Sequence, residues 1–419
     1  MSKYKKFIKT SALITGLFAA LFSNTFAYNG QCTNSADVTN LPAGHWCEVP
    51  GSALTNAEKK PSDWFDWNGA SSPSYNSYQR NLGIDAIIGA WSGGAFDSTR
   101  DRLLIFGGGH NGYGGNEIFA FSLQTLEWER ITDPTANSSR APAIQNSDNT
   151  PISRHTYGGL AYIEHADRLF VLGGAPDSSV GGCGTRGTWT FPFANAPKET
   201  SSTNGQFWEL RSSINEPQTG CDDVAAYDPI SKRVFHHVQT SPGNLSSYNF
   251  ETNTWTYHSG TGHGAGTQAV VDTTRNRIYE FGYGVGMRSW DILSDPAARM
   301  TYKEVATSGF KALESADDPG AAYDINADRI VGWAGGSTVY SFNPATNEWQ
   351  KHDPTTGNLV NPGNVQASGG VFGRFRYSKR LNVYVVVDSA TKNVFLYRFS
   401  PGSGVSAQSL PSSPVLTIR

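Results

Sequence analysis

A four-strand pattern in residues 89–131 recurs along the chain and constrains its fold more than any other feature. The first copy contains a small-residue strand ending at Asp97, an apolar strand starting at Arg102, a glycine-rich loop, an alternating strand and a last strand with Trp128. Short runs that alternate apolar and polar residues predict half-buried β-strands. One four-stranded sheet cannot bury both of its faces, so the pattern requires further copies beside it.

An aspartate followed five residues later by an arginine marks most of the copies. The step from Asp97 to Arg102 recurs three times, and looser versions lie at 162–174 and 373–387. Successive markers are 66, 65, 44, 52 and 53 residues apart, at Arg102, Arg168, Arg233, Arg277, Arg329 and Asn382. Repeats of about this length that combine four strands, a glycine pair and a tryptophan predict a radial β-propeller.

These repeats resemble the kelch repeat over roughly residues 89–400. The resemblance implies an all-β, kelch-type β-propeller of four-stranded blades. Six repeats are readable, which predicts six blades. Seven blades remain an alternative, because residues 61–88 and the inserts after Arg130 and Pro192 have room for a degenerate one. Kelch propellers include oxidases, lyases, sugar binders and protein-interaction modules, so the resemblance implies no single function.

The two ends of the repeat region complement each other. Residues 44–50 resemble the tryptophan strand of a blade that has no other strand before it, and residues 393–401 resemble a third strand without a tryptophan strand after it. We therefore expect the N-terminal strand with Trp46 to complete the last blade. Such closure of the ring removes exposed sheet edges.

The N-terminus has the composition of an export signal. Four lysines precede an apolar run over 11–22, and Ala27 offers a small residue for cleavage, although an uncleaved membrane anchor is the alternative. No later segment is apolar for long enough to span a bilayer. We therefore predict a periplasmic or secreted protein without membrane insertion. Its parts are a signal peptide (1–27), an N-terminal segment with the ring-closing strand and a disulfide loop (28–88), the propeller (89–400) and a C-terminal tail (401–419).

The charge balance bears on the partners. Without the lysines of the signal, 29 basic residues face 36 acidic ones, which gives a formal charge of about −7. This balance argues against nonspecific binding of nucleic acid. We expect a monomer whose partner is a polysaccharide or another glycan.

All four cysteines follow the predicted signal peptide. Cys32 and Cys47 bracket a short N-terminal loop, and Cys183 and Cys221 flank the end of the second repeat. An even set of cysteines suits disulfides in an oxidising compartment. We expect local pairing, although four cysteines allow three connectivities. A metal site is the alternative, but neither pair has the short C-x2-C spacing that helps to build one.

Propeller geometry assigns the loops to two faces. The loops that lead into the first strand of each blade and the loops between second and third strands share one face, here named the loop face. The other connections form the turn face and are short. Most unusual side chains belong to the loop face, so we expect them to converge on one funnel. They are Trp91, His110, Asn111, Tyr113, Arg154, His155, Arg186, His263, Arg288 and Arg374, with the acid pairs Asp222–Asp223 and Asp317–Asp318.

These side chains suit a uronate lyase. Such an enzyme neutralises the C6 carboxylate, removes the C5 proton and protonates the leaving O4. The chemistry suggests His110 as the base, Tyr113 or His155 as the acid, and Arg186 or Arg374 as the carboxylate partner. The other side chains expected to bind substrate are Trp91, Asn111, His263 and Arg288. Bacterial ulvan lyases resemble this chain in architecture and in a His/Tyr set with an arginine on one face, but the resemblance assigns no roles.

Each of these side chains has a structural alternative. His110 can hydrogen-bond loop backbone, Tyr113 can pack beneath a lid, and His155 can be a buried structural histidine. The acid pairs can cap turns, with a calcium ion as the minority alternative; no other cofactor is expected. Ordinary ion pairs with those acids would occupy Arg186, Arg288 and Arg374.

Two rival functions follow from the same sequence. A non-catalytic module would bind a glycan or a partner protein, with an aromatic rim stacking on sugar rings: Trp64, Trp67, Tyr75 and Tyr78. A copper radical oxidase is a third alternative, because galactose oxidase shares the kelch fold. That chemistry uses a cysteine crosslinked to a tyrosine, whereas the four cysteines here are better paired with one another.

Overall fold

The computed structural model of the protein describes residues 28–58, 83–109, 112–134, 145–146, 148–177, 182–194, 207–211, 214–239, 244–259, 266–295, 298–365 and 370–400. Within these residues, six antiparallel sheets form the blades of a β-propeller. The predicted all-β propeller with six blades is therefore confirmed.

The first strand, β1 (His45–Val49), belongs to the last blade, and the next strands build the blades in chain order from the inside outward. Blade 1 comprises β2 (Gly94–Asp97), β3 (Arg102–Phe106), β4 (Ile118–Ser122) and β5 (Glu127–Arg130). A short pair, β6 (Arg154–His155) and β9 (Ala175–Pro176), precedes and interrupts blade 2. Blade 2 comprises β7 (Leu160–Ile163), β8 (Arg168–Val171), β10 (Thr188–Pro192) and β11 (Glu209–Arg211). Blade 3 comprises β12 (Val224–Asp228), β13 (Arg233–His237), β14 (Leu245–Asn249) and β15 (Thr254–Tyr257).

Blades 4 to 6 continue the same order. Blade 4 comprises β16 (Thr267–Asp272), β17 (Arg277–Gly282), β18 (Met287–Asp291) and β19 (Tyr302–Val305). Blade 5 comprises β21 (Gly320–Asp324), β22 (Arg329–Trp333), β23 (Val339–Asn343) and β24 (Glu348–His352), with β20 (Ser308–Gly309) parallel to its outer edge. Blade 6 comprises β25 (Phe375–Ser378), β26 (Val383–Val386) and β27 (Val394–Arg398), completed by β1.

Helices are few and short. The α-helices are α1 (Ser35–Asn40), α2 (Leu54–Glu58), α3 (Ala86–Gly89) and α4 (Ala312–Ser315), and 3-10 turns lie at Gly83–Asp85 and Glu164–Ala166. The innermost strands pack side by side around one axis, and hydrophobic clusters fill the spaces between neighbouring blades. In blades 3 and 4, for example, Phe235 and Trp290 belong to one such cluster. Each sheet thus buries its faces against its neighbours, as the repeats require.

The N-terminal strand closes the ring. β1 pairs antiparallel with β27, which places Trp46 opposite Tyr397. The Trp46 ring is fully buried, lies 4.8 Å from the Tyr397 ring between centroids, and donates from Nε1 to the Ser337 carbonyl at 2.9 Å. A disulfide joins Cys47 of this strand to Cys32, which precedes α1. The predicted closure by Trp46 is confirmed.

The marker aspartate has a structural reason. Asp97 accepts hydrogen bonds from the backbone N–H groups of Thr99 and Arg100, and so caps the turn between the first two strands. The residue before the next strand, Asp101, has a φ of 50°. The aspartates of blades 3, 4 and 5 cap their turns in the same way. The marker arginine has no shared role, since Arg102 bonds to its own aspartate whereas Arg277 bonds to Asp291 and Arg329 to the Asp328 carbonyl.

Replacement of Trp46 tests how much the closing strand stabilises the ring. The Trp46→Ala variant should lose about 3–5 kcal/mol of unfolding free energy, because it leaves a large cavity and an unpaired carbonyl at Ser337. Chemical denaturation measures the loss. The control Leu359→Ala, at a side chain that is 67% exposed, should change the stability by less than about 0.5 kcal/mol. A loss below about 1 kcal/mol for Trp46→Ala would argue against its closing role.

Candidate functional site

A cavity of about 520 Å³ lies on the propeller axis. All six blades line this axial cavity with residues of their innermost strands. Its mouth is at the turn face, since residues of the first turn of every blade also line it: Ser98, Glu164, Pro229, Thr273, Ile325 and Lys379. The cavity therefore opens at the turn face, for which the sequence predicts only short connections.

Small side chains form most of the cavity wall. Two positions before the end of the innermost strand, blades 1 to 5 carry Ala95, Ala161, Ala226, Val270 and Ala322. The equivalent residue of blade 6 is Arg376. The six positions are equivalent because each strand has the same antiparallel register with its second strand. An arginine therefore stands where five other blades place a small apolar residue.

Arg376 is a partly buried cation on this wall. Its Nη2 and Nε donate to the Gly94 carbonyl of blade 1 at 3.0 and 3.3 Å. Burial lowers its pKa to about 10, so the guanidinium remains charged at neutral pH. Within the described parts of the chain, no carboxylate forms an ion pair with Arg376, and no acceptor bonds to its Nη1. The charge is compensated by one carbonyl alone.

Aromatic rings surround the mouth at the next position of the strands. Blades 1, 2, 3, 5 and 6 carry Phe96, Tyr162, Tyr227, Tyr323 and Tyr377, and blade 4 carries Val271. Three of the tyrosine hydroxyls donate to the residue five positions later, at 2.6–2.7 Å: Tyr162 to Asp167, Tyr323 to Asp328, and Tyr377 to Asn382. These bonds fix the rings beside the mouth. In blade 4, Val271 interrupts this circle of aromatic side chains.

Four side chains close the opposite end of the axis, and we name them the axial plug: Tyr157, Asp222, Asp318 and Phe372. They come from the lead-in loops of blades 2, 3, 5 and 6 and are buried. The Tyr157 and Phe372 rings meet edge to face at 5.7 Å between centroids. The Asp222 and Asp318 side chains lie close enough to interact electrostatically, although blade 4 separates their blades. Packed side chains of the described residues therefore occupy the axis at the loop face.

The two carboxyl groups of the plug share one negative charge. Burial and the charge of Asp222 raise the pKa of Asp318 well above its usual range. Asp318 therefore holds a proton at neutral pH and can bond to the Asp222 carboxylate, which also accepts from the Gly266 N–H at 2.6 Å. Asp222 and Asp318 therefore interact with groups of the protein itself.

Trp91 and His155, both predicted site residues, are in contact. Trp91 is 37% exposed, and its ring centroid lies 5.0 Å from that of the buried His155. His155 also contacts Tyr157 of the axial plug at 6.1 Å. The loop face thus has one exposed tryptophan beside the plug.

Arg374 and Tyr113 have structural partners. Arg374 is fully buried and donates to the carbonyls of Ser92, Val387 and Gly370, and burial lowers its pKa to about 10. Tyr113 is also fully buried, and its hydroxyl donates to Glu117 at 2.7 Å. Burial raises the Glu117 pKa to about 7. The Arg374 guanidinium and the Tyr113 hydroxyl therefore both form hydrogen bonds within the protein interior.

The remaining predicted site residues are dispersed. Arg186 is exposed in the loop that the Cys183–Cys221 disulfide joins to the lead-in loop of blade 3. Arg288 lies half-buried on β18, and its Nε and Nη1 have no hydrogen-bond partner among the residues that the structure describes. His110, Asn111 and His263 lie outside the described residues, as do the predicted rim residues Trp64, Trp67, Tyr75 and Tyr78.

Both local disulfide pairings are confirmed. Two disulfides fit an exported protein in an oxidising environment. In the described ranges, no helix is long and apolar enough to cross a membrane. The same residues contain no group of three or more His, Cys, Asp or Glu side chains that could hold a metal ion.

Three solved structures are similar to this chain at low sequence identity. YjhT shares 12% identity over 75% of this chain and 99% of its own, with a TM-score of 0.45. XC5397 from Xanthomonas campestris, described as a gluconolactonase, shares 9% over 74% and 87%, with a TM-score of 0.42. An auxiliary nutrient binding protein from Bacteroides thetaiotaomicron shares 8% over 74% and 69%, with a TM-score of 0.45. No family and no curated protein matches the sequence, so the kelch assignment rests on resemblance.

The protonated Asp318 predicts an unusual pH dependence. Its pKa is higher in the folded than in the unfolded chain, so its contribution to stability is complete below the ordinary aspartate pKa of about 4 and decreases as the pH rises above that value. The Asp318→Asn variant keeps a neutral group at this position. Its unfolding free energy relative to wild type should rise by at least about 1 kcal/mol between pH 5 and pH 9.

Urea unfolding at several pH values measures this difference. The control Asp353→Asn removes an exposed carboxylate whose pKa is lowered by Lys351, so it should show no such trend above pH 5. Parallel pH profiles for wild type and Asp318→Asn would contradict the shared proton.

Proposed function

We propose that this protein is an exported glycan-binding propeller that holds a carboxylate-bearing sugar in the axial cavity, with Arg376 as the carboxylate partner. The observation that carries the proposal is an arginine on the cavity wall that has no acidic partner among the described residues. The ligand enters from the turn face, where the cavity has its mouth.

The state of Arg376 favours an anionic ligand. A guanidinium removed from water loses hydration, and one carbonyl replaces only part of it. A carboxylate can take two of its N–H groups in parallel, and such charge-assisted bonds are strongest where water is excluded. Nη1 has no acceptor within the described ranges and is free to donate. A ligand carboxylate therefore completes the coordination of this cation.

The rest of the cavity suits a sugar ring. Alanine side chains and the edges of Phe96 and the tyrosines give an apolar wall, and aromatic side chains pack well against the C–H faces of sugars. The volume of about 520 Å³ lies in the usual range for small-molecule sites. Lys379 adds a second cation at the mouth, and Ser98 bonds to Glu164 there at 2.6 Å. Uronates combine a carboxylate with the apolar C–H faces of a sugar ring.

Binding without cleavage fits the described geometry better than β-elimination does. The Tyr113 hydroxyl is bonded to Glu117 in the interior, and His155 is buried beside the axial plug. The base predicted from the sequence, His110, lies outside the described residues, so those residues do not contain the complete predicted acid and base set for elimination. We therefore take a non-catalytic glycan-binding module as the function.

Replacement of Arg376 tests the proposed site. The Arg376→Gln variant should bind uronate oligosaccharides ~10- to 100-fold more weakly, because it loses a charge-assisted bond in a partly dry cavity. Calorimetric titration with oligogalacturonates measures the change. The control Arg299→Gln removes an exposed arginine that lies over Tyr257, outside the cavity, and should leave the affinity unchanged. Equal binding by Arg376→Gln and wild type would refute this assignment.

An absorbance assay separates binding from cleavage. Incubation of the wild-type protein with uronate polysaccharides should retain the ligand without new absorbance from unsaturated uronate products. If such absorbance appears and His110→Ala abolishes it at an unchanged melting temperature, the protein is a lyase and the binding proposal is too narrow. Absorbance that persists in His110→Ala would place the base elsewhere.

A further inference from the structure

The axial cavity has its mouth at the turn face. The axial plug lies beyond its other end, on the loop face, where side chains of four blades interact with one another. On this geometry, and resting on the proposed function, we infer that the cavity is a blind socket for the end of a chain. It takes the terminal unit of an acidic glycan, or a free sugar acid, and excludes the interior of a polymer.

Hydrogen bonds join every pair of neighbouring blades at the closed end. Tyr157 N–H donates to the Trp91 carbonyl at 2.7 Å between blades 1 and 2, and Ala225 N–H donates to Gly158 at 2.8 Å between blades 2 and 3. Between blades 6 and 1, Gly94 N–H donates to Phe372 at 3.1 Å. These bonds connect the described lead-in residues of neighbouring blades directly.

The other three junctions run through the acids of the plug. The Gly266 N–H donates to Asp222 at 2.6 Å, and the Asp318 N–H donates to the Gly266 carbonyl at 2.9 Å. The Val371 N–H then donates to the Asp318 carbonyl at 2.7 Å. The plug is therefore part of a continuous hydrogen-bonded ring, and opening it would break several buried bonds at once. We therefore infer that the axial plug is a fixed end of the socket and does not open as a gate.

The position of the cations sets the orientation of the ligand. Arg376 lies on the innermost strand, inside the cavity, and Lys379 lies in the following turn at the mouth. A terminal carboxylate can reach Arg376, whereas the carboxylate of the next unit lies nearer Lys379. A polymer interior would have to enter and return through one mouth lined by fixed aromatic rings. The socket thus selects chain ends.

Binding stoichiometry along a length series tests the socket. Calorimetric titration uses the full-length mature protein with galacturonate chains of one, two, three and six units and with a long polygalacturonate of known chain number. We expect the dissociation constants per chain for two to six units to agree within about threefold, with one protein bound per end-accessible chain at every length. Several proteins per long chain, or affinity that rises tenfold or more from three to six units, would overturn the socket.

The Arg376→Gln variant separates failure of the socket from failure of the proposed function. If all chains fail to bind, or if Arg376→Gln binds like wild type, the proposed site is wrong. If binding depends on Arg376 but many proteins load on one long chain, only the socket is wrong. Lys379→Met should weaken chains of two or more units more than the single unit, while Arg299→Gln should affect none of them. An equal effect of Lys379→Met on all lengths would contradict the proposed orientation.

Discussion

The ring of hydrogen bonds at the loop end of the axis is the constraint on which the rest of the structure depends. An innermost strand presents backbone groups along its axial edge, and a buried N–H group without a partner is costly. The lead-in loops provide a bond at each junction between blades. They approach so closely that a Cβ at Gly93 would lie 2.0 Å from the Tyr157 carbonyl oxygen, which explains a glycine there. Because the loop face is closed at the axis, the cavity is reached from the turn face.

The turn face combines inter-blade contacts with the candidate site. Arg100 reaches from its own Asp97 to Asp167 of blade 2 at 2.6 Å, and Arg275 reaches in the same way to Asp328 of blade 5 at 2.6 Å. These partly exposed pairs contribute little stability, about 1 kcal/mol or less each. Their carboxylates also accept from the Tyr162 and Tyr323 hydroxyls, so they fix the aromatic rings at the mouth. The contacts that align neighbouring blades therefore also arrange the wall of the cavity.

The repeat pattern was sufficient to predict the blades, the closure by Trp46 and the local disulfides, because each depends on spacing along the chain. It did not predict which face is open. Arg374 and Asp318 looked like ligand-binding groups in the sequence, whereas the fold uses them to satisfy backbone carbonyls and a shared proton. Residue type alone does not distinguish these roles. A signal for Arg376 was present, since it replaces an alanine or valine of the other blades, but it emerges only when the innermost strands are placed in register. His110, Asn111 and His263 stay predictions.

Arg374 and Arg376 lie two residues apart, and burial lowers the pKa of both to about 10, yet their surroundings differ. Arg374 donates to three carbonyls and feels the charges of Asp388 and Asp318, so the protein itself offsets its lost hydration. Arg376 has one carbonyl and no described acid. The acidic balance of the whole chain would repel an anionic glycan at long range, but salt screens that repulsion beyond ~8 Å at physiological ionic strength. The proposed recognition of an anionic glycan therefore depends on short-range contacts inside the cavity, where Arg376 has one carbonyl partner among the described residues.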